Sequence, residues 1–149
     1  MTFSQERIDE AEAQILEQSK RIDFFLIEYT VDYLASKMAS HDFVVPDYQR
    51  ADTWEPERKS RFIESLLMGL PIPFLFFWEA PDTGKLEIVD GTQRLRTIEQ
   101  FILGDLVLGE LDKLPLIEGF RFRDLPESRQ RKIKNRSIRG IVLSATADE

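Results

Sequence analysis

The sequence contains no cysteine, only one histidine, and no hydrophobic run near the roughly 20 residues that span a bilayer. The lack of cysteine excludes disulfides, thiolate zinc sites and cysteine nucleophiles, and His41 alone cannot form a histidine-rich metal site. The spacings typical of Ser-His-Asp hydrolases and P-loop kinases are also missing. The N-terminus lacks the basic start and apolar block of a signal peptide, so we expect a cytoplasmic protein.

Basic residues are outnumbered by acidic ones, 20 to 27, which gives a net charge of −7 and argues against a surface that wraps nucleic acid throughout. The segment 121–139 differs, because it holds eight basic and two acidic residues. It predicts a surface that contacts DNA or another acidic partner. Its nucleic-acid-binding candidates are Arg129, Arg131, Lys132, Lys134 and Arg136. The alternative is a helix whose charge is balanced by the acidic N-terminal helix.

Hydrophobic periodicity predicts short strands alternating with helices, which is typical of the α/β or α+β class. The predicted helices cover residues 4–20, 31–40, 53–69, 93–103 and 126–135. The predicted strands cover residues 22–29, 43–45, 74–78, 85–89 and 138–143, with a further short strand at 106–108. We expect an N-terminal acidic helix or arm at residues 1–20, one domain at 21–143 and a tail at 144–149.

The stretch 86–96 is the first candidate site, because an apolar strand stops at Asp90-Gly91 and a helical pattern begins directly after it. The first N–H groups of a helix have no partner within the helix, so this loop suits an anion such as phosphate. Gly91 would let a phosphate come close to the backbone. The structural alternative is an ordinary Asp-Gly turn followed by a helix cap.

A second polar turn, residues 47–50, also follows a short β-run and also ends in a Gln-Arg pair, Gln49 and Arg50. If the two strands lie side by side, both turns converge on one pocket in which arginines hold phosphate oxygens. The alternative is a surface turn with Arg50 paired to Asp52 or Glu55. Trp54 is a large aromatic residue and is predicted to lie in the core. Arg58 belongs to a group of charged residues at the start of a helix and is predicted to lie on its solvated face.

Four blocks in order resemble the N-terminal domain of the GmrSD-type restriction endonucleases. They are residues 45–50, Trp54, residues 63–73 and residues 89–95, and the resemblance runs from about residue 25 to residue 141. That family carries an Asp-Gly-Gln-Gln-Arg signature. Asp90, Gly91, Gln93 and Arg94 match the signature, and Gln49 and Arg50 match the upstream block.

The resemblance implies an α+β fold similar to ParB and sulfiredoxin, a small mixed sheet flanked by helices. It implies a loop that binds nucleotide phosphates, with NTP hydrolysis, DNA cleavage or defence against phage DNA in several members. The implied catalytic residues are Asp90, Gln93 and Arg94, and the implied phosphate-binding residues are Gln49, Arg50, Gly91 and Thr92. The implied cofactor is an NTP, with GTP, CTP and ATP left open, together with Mg²⁺.

Thr92 departs from the family, which usually has glutamine there. A hydroxyl can donate to phosphate or cap a helix but supplies no second amide. The substitution therefore argues more strongly against nucleotide hydrolysis than against nucleotide binding. Longer relatives continue with a Phe-x-Arg-Leu-Asn block, a helical region and often an HNH-type nuclease domain. The sequence therefore predicts a stand-alone or excised N-terminal module, with a C-terminal nuclease domain or subunit as a partner.

Three functions stay open from the sequence. The first is a nucleotide-binding domain in restriction or phage defence, with activity as an NTPase or a ParB-like nuclease undecided. The second is a non-catalytic DNA-binding regulatory module that uses the basic segment. The third is a protein-interaction domain that docks through the helix at residues 4–20. A homo-oligomer is one of the assemblies it could form.

Overall fold

The computed structural model describes residues 2–51 and 53–146, and within them the predicted α+β class is confirmed. The helices are α1 (Gln5–Ser19), α2 (Val31–Ala39), α3 (Pro56–Leu67), α4 (Thr92–Ile102) and α5 (Glu127–Lys134). The strands are β1 (Ile22–Thr30), β2 (Phe43–Val44), β3 (Leu75–Glu79), β4 (Leu86–Asp90) and β5 (Ser137–Ala145). Likeness to ParB and sulfiredoxin stays a prediction. No helix among the described residues is long and apolar enough to cross a membrane.

The five strands form one mixed sheet in the order β1-β5-β3-β4-β2. β3 and β4 form an antiparallel hairpin, while β3 runs parallel to β5 and β2 runs parallel to β4. Parallel neighbours end at the same edge of a sheet. The turn after β2 and the loop after β4 therefore lie at one end of the sheet, which is the condition for the two polar turns to meet.

Among the described residues, helices pack on one face of the sheet and none forms a layer on the other face. Phe77, Ile88 and Val142 are fully buried beneath α2, α3 and α4. The strand residues between them point to the opposite face. We call this opposite surface the open face; it contains Phe24, Leu26, Phe76, Trp78, Ile141 and Leu143. The continuous apolar run of β3 predicts a strand buried on both faces, but this is wrong, because no helix among the described residues covers Phe76 and Trp78.

Local capping explains where two helices start. The Thr30 side chain accepts a hydrogen bond from the Tyr33 N–H, so Thr30 is the N-cap of α2 and the helix starts at Val31 as predicted. α3 starts later than the predicted residue 53, with Glu55 as its N-cap residue and Pro56 in its first turn. α1 has a side-chain cap at Ser4 but buries none of its residues.

Two predicted boundaries were wrong. Residues 106–108 form no strand; Leu108 instead exchanges backbone hydrogen bonds with Gly119 and Phe120 across an irregular loop. β5 extends through Ala145, because each added residue pairs with the start of β1, so Ser144 and Ala145 belong to the sheet rather than to a tail. Residues 147–149 of the predicted tail lie outside the described residues.

Candidate functional site

The two polar turns lie side by side and are joined through their side chains. The Thr92 hydroxyl donates to Oε1 of Gln49, and Nε2 of Gln49 lies 3.5 Å from the Val89 carbonyl oxygen. A second link runs from Nη2 of Arg96 to the Arg50 carbonyl oxygen, over 3.1 Å. Thr92 is therefore a bridge between the turns, and its hydroxyl connects the two Gln-Arg segments that were predicted to converge.

A cleft of about 340 Å³ opens where these turns meet. It is lined by Gln49, Trp54, Arg58, Asp90, Gly91, Thr92, Gln93 and Arg94. Six of the seven residues predicted for catalysis or phosphate binding therefore share one cleft. The seventh, Arg50, lies outside it. Its guanidinium donates to the Val45 carbonyl and pairs with Asp47 at 3.1 Å, with both side chains exposed.

Among the described residues, Arg50 pairs with Asp47, three residues earlier, and not with Glu55. Asp52 lies outside the described residues. The two arginines of the paired turns consequently have different surroundings, and only Arg94 reaches the cleft.

Gly91 is required by the geometry at the start of α4. Its φ of 116° lies in the left-handed region, and a Cβ there would lie 2.5 Å from Cδ2 of Leu75 and 3.3 Å from Nη2 of Arg94. Glycine is thus needed at position 91 because side chains of the protein itself lie close to its Cα, and not because a ligand does. Gly91 provides no side-chain cap, and α4 begins at Thr92 beside the cleft. The first turn of α4 therefore places backbone N–H groups and the positive end of its dipole there.

Arg94 is buried and holds the chain around it together. Its guanidinium donates to the Pro73 carbonyl and, over 3.2 Å, to the Phe74 carbonyl, and Nη2 lies 3.7 Å from Oδ2 of Asp90. Burial lowers the pKa of Arg94, and the Asp90 carboxylate partly opposes that shift. These contacts fix α4 to the segment that leads into β3, so Arg94 positions the cleft wall.

Trp54 and Arg58 form the wall opposite α4, although the sequence assigned neither to the site. The backbone N–H of Trp54 donates to Oε1 of Gln93 over 2.9 Å. The Arg58 guanidinium lies 4.6 Å from the centre of the Trp54 ring, and Phe62 packs against the ring edge at 5.7 Å. Trp54 is thus half-buried rather than in the core. The sequence feature that could have predicted this contact is the spacing of four residues between Trp54 and Arg58, which brings the two side chains together near a helix start.

The Asp90 carboxylate is the main acidic group in the cleft, and 69% of its side chain is exposed. Because its Oδ2 lies 3.7 Å from Nη2 of Arg94, the ion pair is loose and most of the carboxylate is open to solvent. Among the described residues, no group of three or more acidic or histidine side chains could hold a metal ion. A cation at Asp90 would therefore need ligands from a bound molecule.

The basic segment borders a second depression, about 700 Å³, between α3 and α5. Arg129, Arg131 and Lys132 lie exposed around it. Arg136 also lines it, but its guanidinium donates to the Leu66 carbonyl over 2.7 Å and to the carbonyls of Ser65 and Leu70. Partial burial lowers the pKa of Arg136. Arg136 thus caps the end of α3.

Lys134, the last of the five basic candidates, does not line the depression. Its ammonium lies 5.4 Å from the centre of the Phe122 ring and its side chain is half-buried. Of the five predicted nucleic-acid-binding residues, three are therefore exposed together, while Lys134 and Arg136 make contacts within the fold.

In a comparison with known protein families, the model of the GmrSD restriction endonuclease, N-terminal domain, matches residues 31–146, which is most of the chain and includes both polar turns. No curated protein and no solved structure matches the chain.

Proposed function

Because the chain belongs to the family of the GmrSD restriction endonuclease N-terminal domain, we propose that it binds a nucleotide in the cleft between the two polar turns. The family implies a role in restriction, and so in defence against phage. The observation that supports nucleotide binding is the convergence of the Gln49 turn, the α4 N-terminus and Arg58 on one cleft. These groups are the donors that phosphate oxygens need.

Phosphate binding rests on three kinds of donor. The first turn of α4 supplies backbone N–H groups, and its dipole favours an anion at that end. Arg58 supplies an exposed guanidinium, which can pair with two phosphate oxygens at once. Gln49 supplies an amide that the Thr92 hydroxyl orients. The cleft volume is at the lower end of the range for small-molecule sites, which suits the phosphates and sugar of one nucleotide.

Asp90 decides how the charge in the cleft is balanced. A lone carboxylate beside a phosphate repels it, unless a cation lies between them. Mg²⁺ commonly takes one or two protein carboxylates and completes its ligands from phosphates and water, so Asp90 fits a Mg²⁺ that arrives with the nucleotide. Gln93 and Arg94 would then position the cleft walls, and Asp90 would orient a water molecule for hydrolysis.

Calorimetry can test binding with GTP, CTP and ATP, each with Mg²⁺. Removal of Arg58 in Arg58→Ala should weaken binding by roughly tenfold or more, because hydrogen bonds to charged groups contribute about 1.5–3 kcal/mol. Arg50→Ala is the matched control, since Arg50 is also an exposed arginine but lies outside the cleft. Arg50→Ala should leave binding unchanged. If the wild type binds none of the three nucleotides, the proposal is wrong.

Hydrolysis needs a separate measurement. Phosphate release should be lost in Asp90→Asn while nucleotide binding persists, because the amide keeps the size of the side chain but cannot accept a proton from water. Equal phosphate release by the wild type and Asp90→Asn would contradict this role for Asp90. Binding without release in the wild type would limit the function to binding.

DNA binding by the basic segment is the second candidate function, and the three exposed cations around the α3–α5 depression favour it. The affinity for duplex DNA should fall steeply with salt, and Arg131→Ala should weaken binding and reduce that slope by about one. Arg58→Ala is expected to leave DNA binding unchanged. Fluorescence anisotropy across a salt series measures both quantities, and a flat salt response would count against DNA binding.

A further inference from the structure

We propose that β1 pairs with β1 of a second copy of the chain, antiparallel and about a twofold axis. The strand is nine residues long and lies at the edge of the sheet, and its only strand partner among the described residues is β5. The opposite edge strand, β2, has only two residues. A long edge strand presents a row of unpaired N–H and C=O groups to any strand that approaches.

β1 lacks the features that normally protect an edge. Its sequence, Ile-Asp-Phe-Phe-Leu-Ile-Glu-Tyr-Thr, contains no proline and no lysine, and its register with β5 runs without a bulge. Phe24 and Leu26 are each 68% exposed, and Ile22 and Phe25 are about half exposed. This is an apolar and unguarded strand edge.

Helix α1, which precedes this strand, is equally uncovered. No residue of α1 is buried, and Ile8, Ile15 and Leu16 lie exposed on it. The α1–β1 unit, residues 5–30, also precedes the segment that matches the family model. In the described part of the chain, two neighbouring elements that carry exposed apolar side chains therefore lie uncovered at the surface.

A second copy is the partner that the strand itself favours. Two identical strands related by a twofold axis normal to the sheet pair antiparallel, and even-numbered residues then face even-numbered residues. With the axis near Phe25, Phe24 of one copy lies opposite Leu26 of the other. Apolar cross-strand pairs of this kind stabilise sheets, while Asp23 and Glu28 avoid each other.

Charge supports the same arrangement. Thr146 bonds the backbone of Lys20 and Arg21, which fixes α1 at the end of the sheet where β1 starts. The basic α5 leads into the other end, where Thr30 pairs with Ser137. Nine strand residues separate the two ends by about 30 Å. In an antiparallel pair, the C-terminal end of each acidic α1 lies instead beside the end of the partner sheet that the basic α5 leads into.

The interface leaves the nucleotide cleft free, since the cleft lies beside β2 and β4 at the other edge of the sheet. Pairing through β1 is therefore independent of the proposed function, and the failure of either leaves the other standing.

Sedimentation equilibrium of the full chain over a micromolar concentration series tests the pairing. We expect the wild type to form dimers and the double variant Phe24→Lys, Leu26→Lys to be monomeric, because four lysines would meet near the axis. Leu116→Lys is the control, as Leu116 is 91% exposed and far along the chain from β1; it should remain dimeric. Circular dichroism confirms that each variant is folded. A monomeric wild type, or a dimer unaffected by the double variant, would overturn the proposal.

Cysteine cross-linking maps the axis directly, because the native chain has no cysteine. Only the residue on a twofold axis faces its own copy, and its neighbours lie within one residue pair of theirs, so oxidation of Phe24→Cys, Phe25→Cys and Leu26→Cys variants should give a covalent dimer from at least one of them, with Phe25→Cys the most efficient if the axis passes at Phe25. Leu116→Cys should give none above the rate of random collision. If all four variants cross-link equally, or only Leu116→Cys does, β1 is not the interface.

Discussion

Arg94 shows why the type of a residue does not reveal its role in the cleft. An arginine beside an Asp-Gly turn suggests phosphate binding, but burial places its guanidinium against the carbonyls of Pro73 and Phe74. Replacing Arg94 would leave buried carbonyls without donors, which costs about 1–3 kcal/mol per group. Loss of nucleotide binding in Arg94→Ala would consequently reflect structural damage as well as lost contacts. Arg58, which is exposed, is the more informative position.

Glu64 is a buried carboxylate that the sequence did not single out. Only 5% exposed on α3, it accepts hydrogen bonds from the backbone N–H groups of Asp112 at 3.3 Å, Lys113 at 2.7 Å and Leu114 at 2.9 Å. Burial alone would raise the pKa of Glu64, but the three donors together hold it below its usual value. Glu64 thus anchors the long loop before α5.

The Glu64 carboxylate should make stability depend on pH. Since its pKa is lower in the folded than in the unfolded chain, its contribution is complete above the unfolded pKa of about 4.3 and is lost as pH falls through the folded pKa. Glu64→Gln should lower the free energy of unfolding at pH 7 by about 1–3 kcal/mol, and this difference should shrink in acid. Urea unfolding from pH 7 to pH 3 measures it.

Glu12→Gln is the control for that series. Glu12 lies on the exposed α1, so its variant should follow the wild type at every pH. A Glu64→Gln variant whose destabilisation stays constant down to pH 3 would show that the carboxylate charge is not responsible.

Two helices with similar N-caps differ in what they stabilise. Thr30 caps α2, whose Val31, Leu34, Ala35 and Met38 are buried, while Ser4 caps α1, which buries nothing. Helices in proteins owe most of their stability to packing of an apolar face. A cap should therefore affect global stability only where its helix belongs to the core.

Thr30→Ala should lower the free energy of unfolding by about 0.5–2 kcal/mol, because the orphan Tyr33 N–H loses its acceptor. Ser4→Ala removes an equivalent bond to the Arg7 N–H and should leave global unfolding unchanged, with a loss of helical signal confined to α1. Chemical denaturation followed by circular dichroism compares the two. An equal loss of stability in both variants would mean that α1 unfolds together with the domain.

In the described part of the molecule, the core lies on one side of the sheet. The buried face carries α2, α3, α4 and α5, whereas the open face and the α1–β1 unit present apolar side chains to solvent. Surfaces of this kind on soluble domains commonly mark interaction sites. The cleft and the β1 edge lie at opposite edges of the sheet, so one molecule can bind a ligand and pair with a second copy at the same time.

The difference in burial between the two faces of the sheet can be measured with two phenylalanines, Phe77 on β3 and Phe24 on β1. Phe77 is fully buried and packs on Phe43 at 4.8 Å, so Phe77→Ala should cost about 3–5 kcal/mol. Phe24 is 68% exposed, and Phe24→Ala should cost less than about 1 kcal/mol in the monomer. Denaturant unfolding at low protein concentration, where dimers dissociate, provides the comparison. Similar losses would mean that the open face is covered.

The sequence by itself determined the order of helices and strands, because hydrophobic period, glycine, proline and capping residues act over a few positions. It also identified the two polar turns and the family to which they belong. It misplaced elements such as residues 106–108, where long-range backbone bonds replace a local strand pattern.

Only the tertiary structure decided which polar groups face the cleft. The parallel pairing of β2 with β4 places Gln49 in contact with Thr92. Arg50 instead pairs with Asp47 outside the cleft, and Arg58 lines the cleft. Burial likewise assigned Arg94 and Arg136 to carbonyls of the fold. A local pattern states which groups are present, but contacts between residues about 40 positions apart determine which remain open to a ligand.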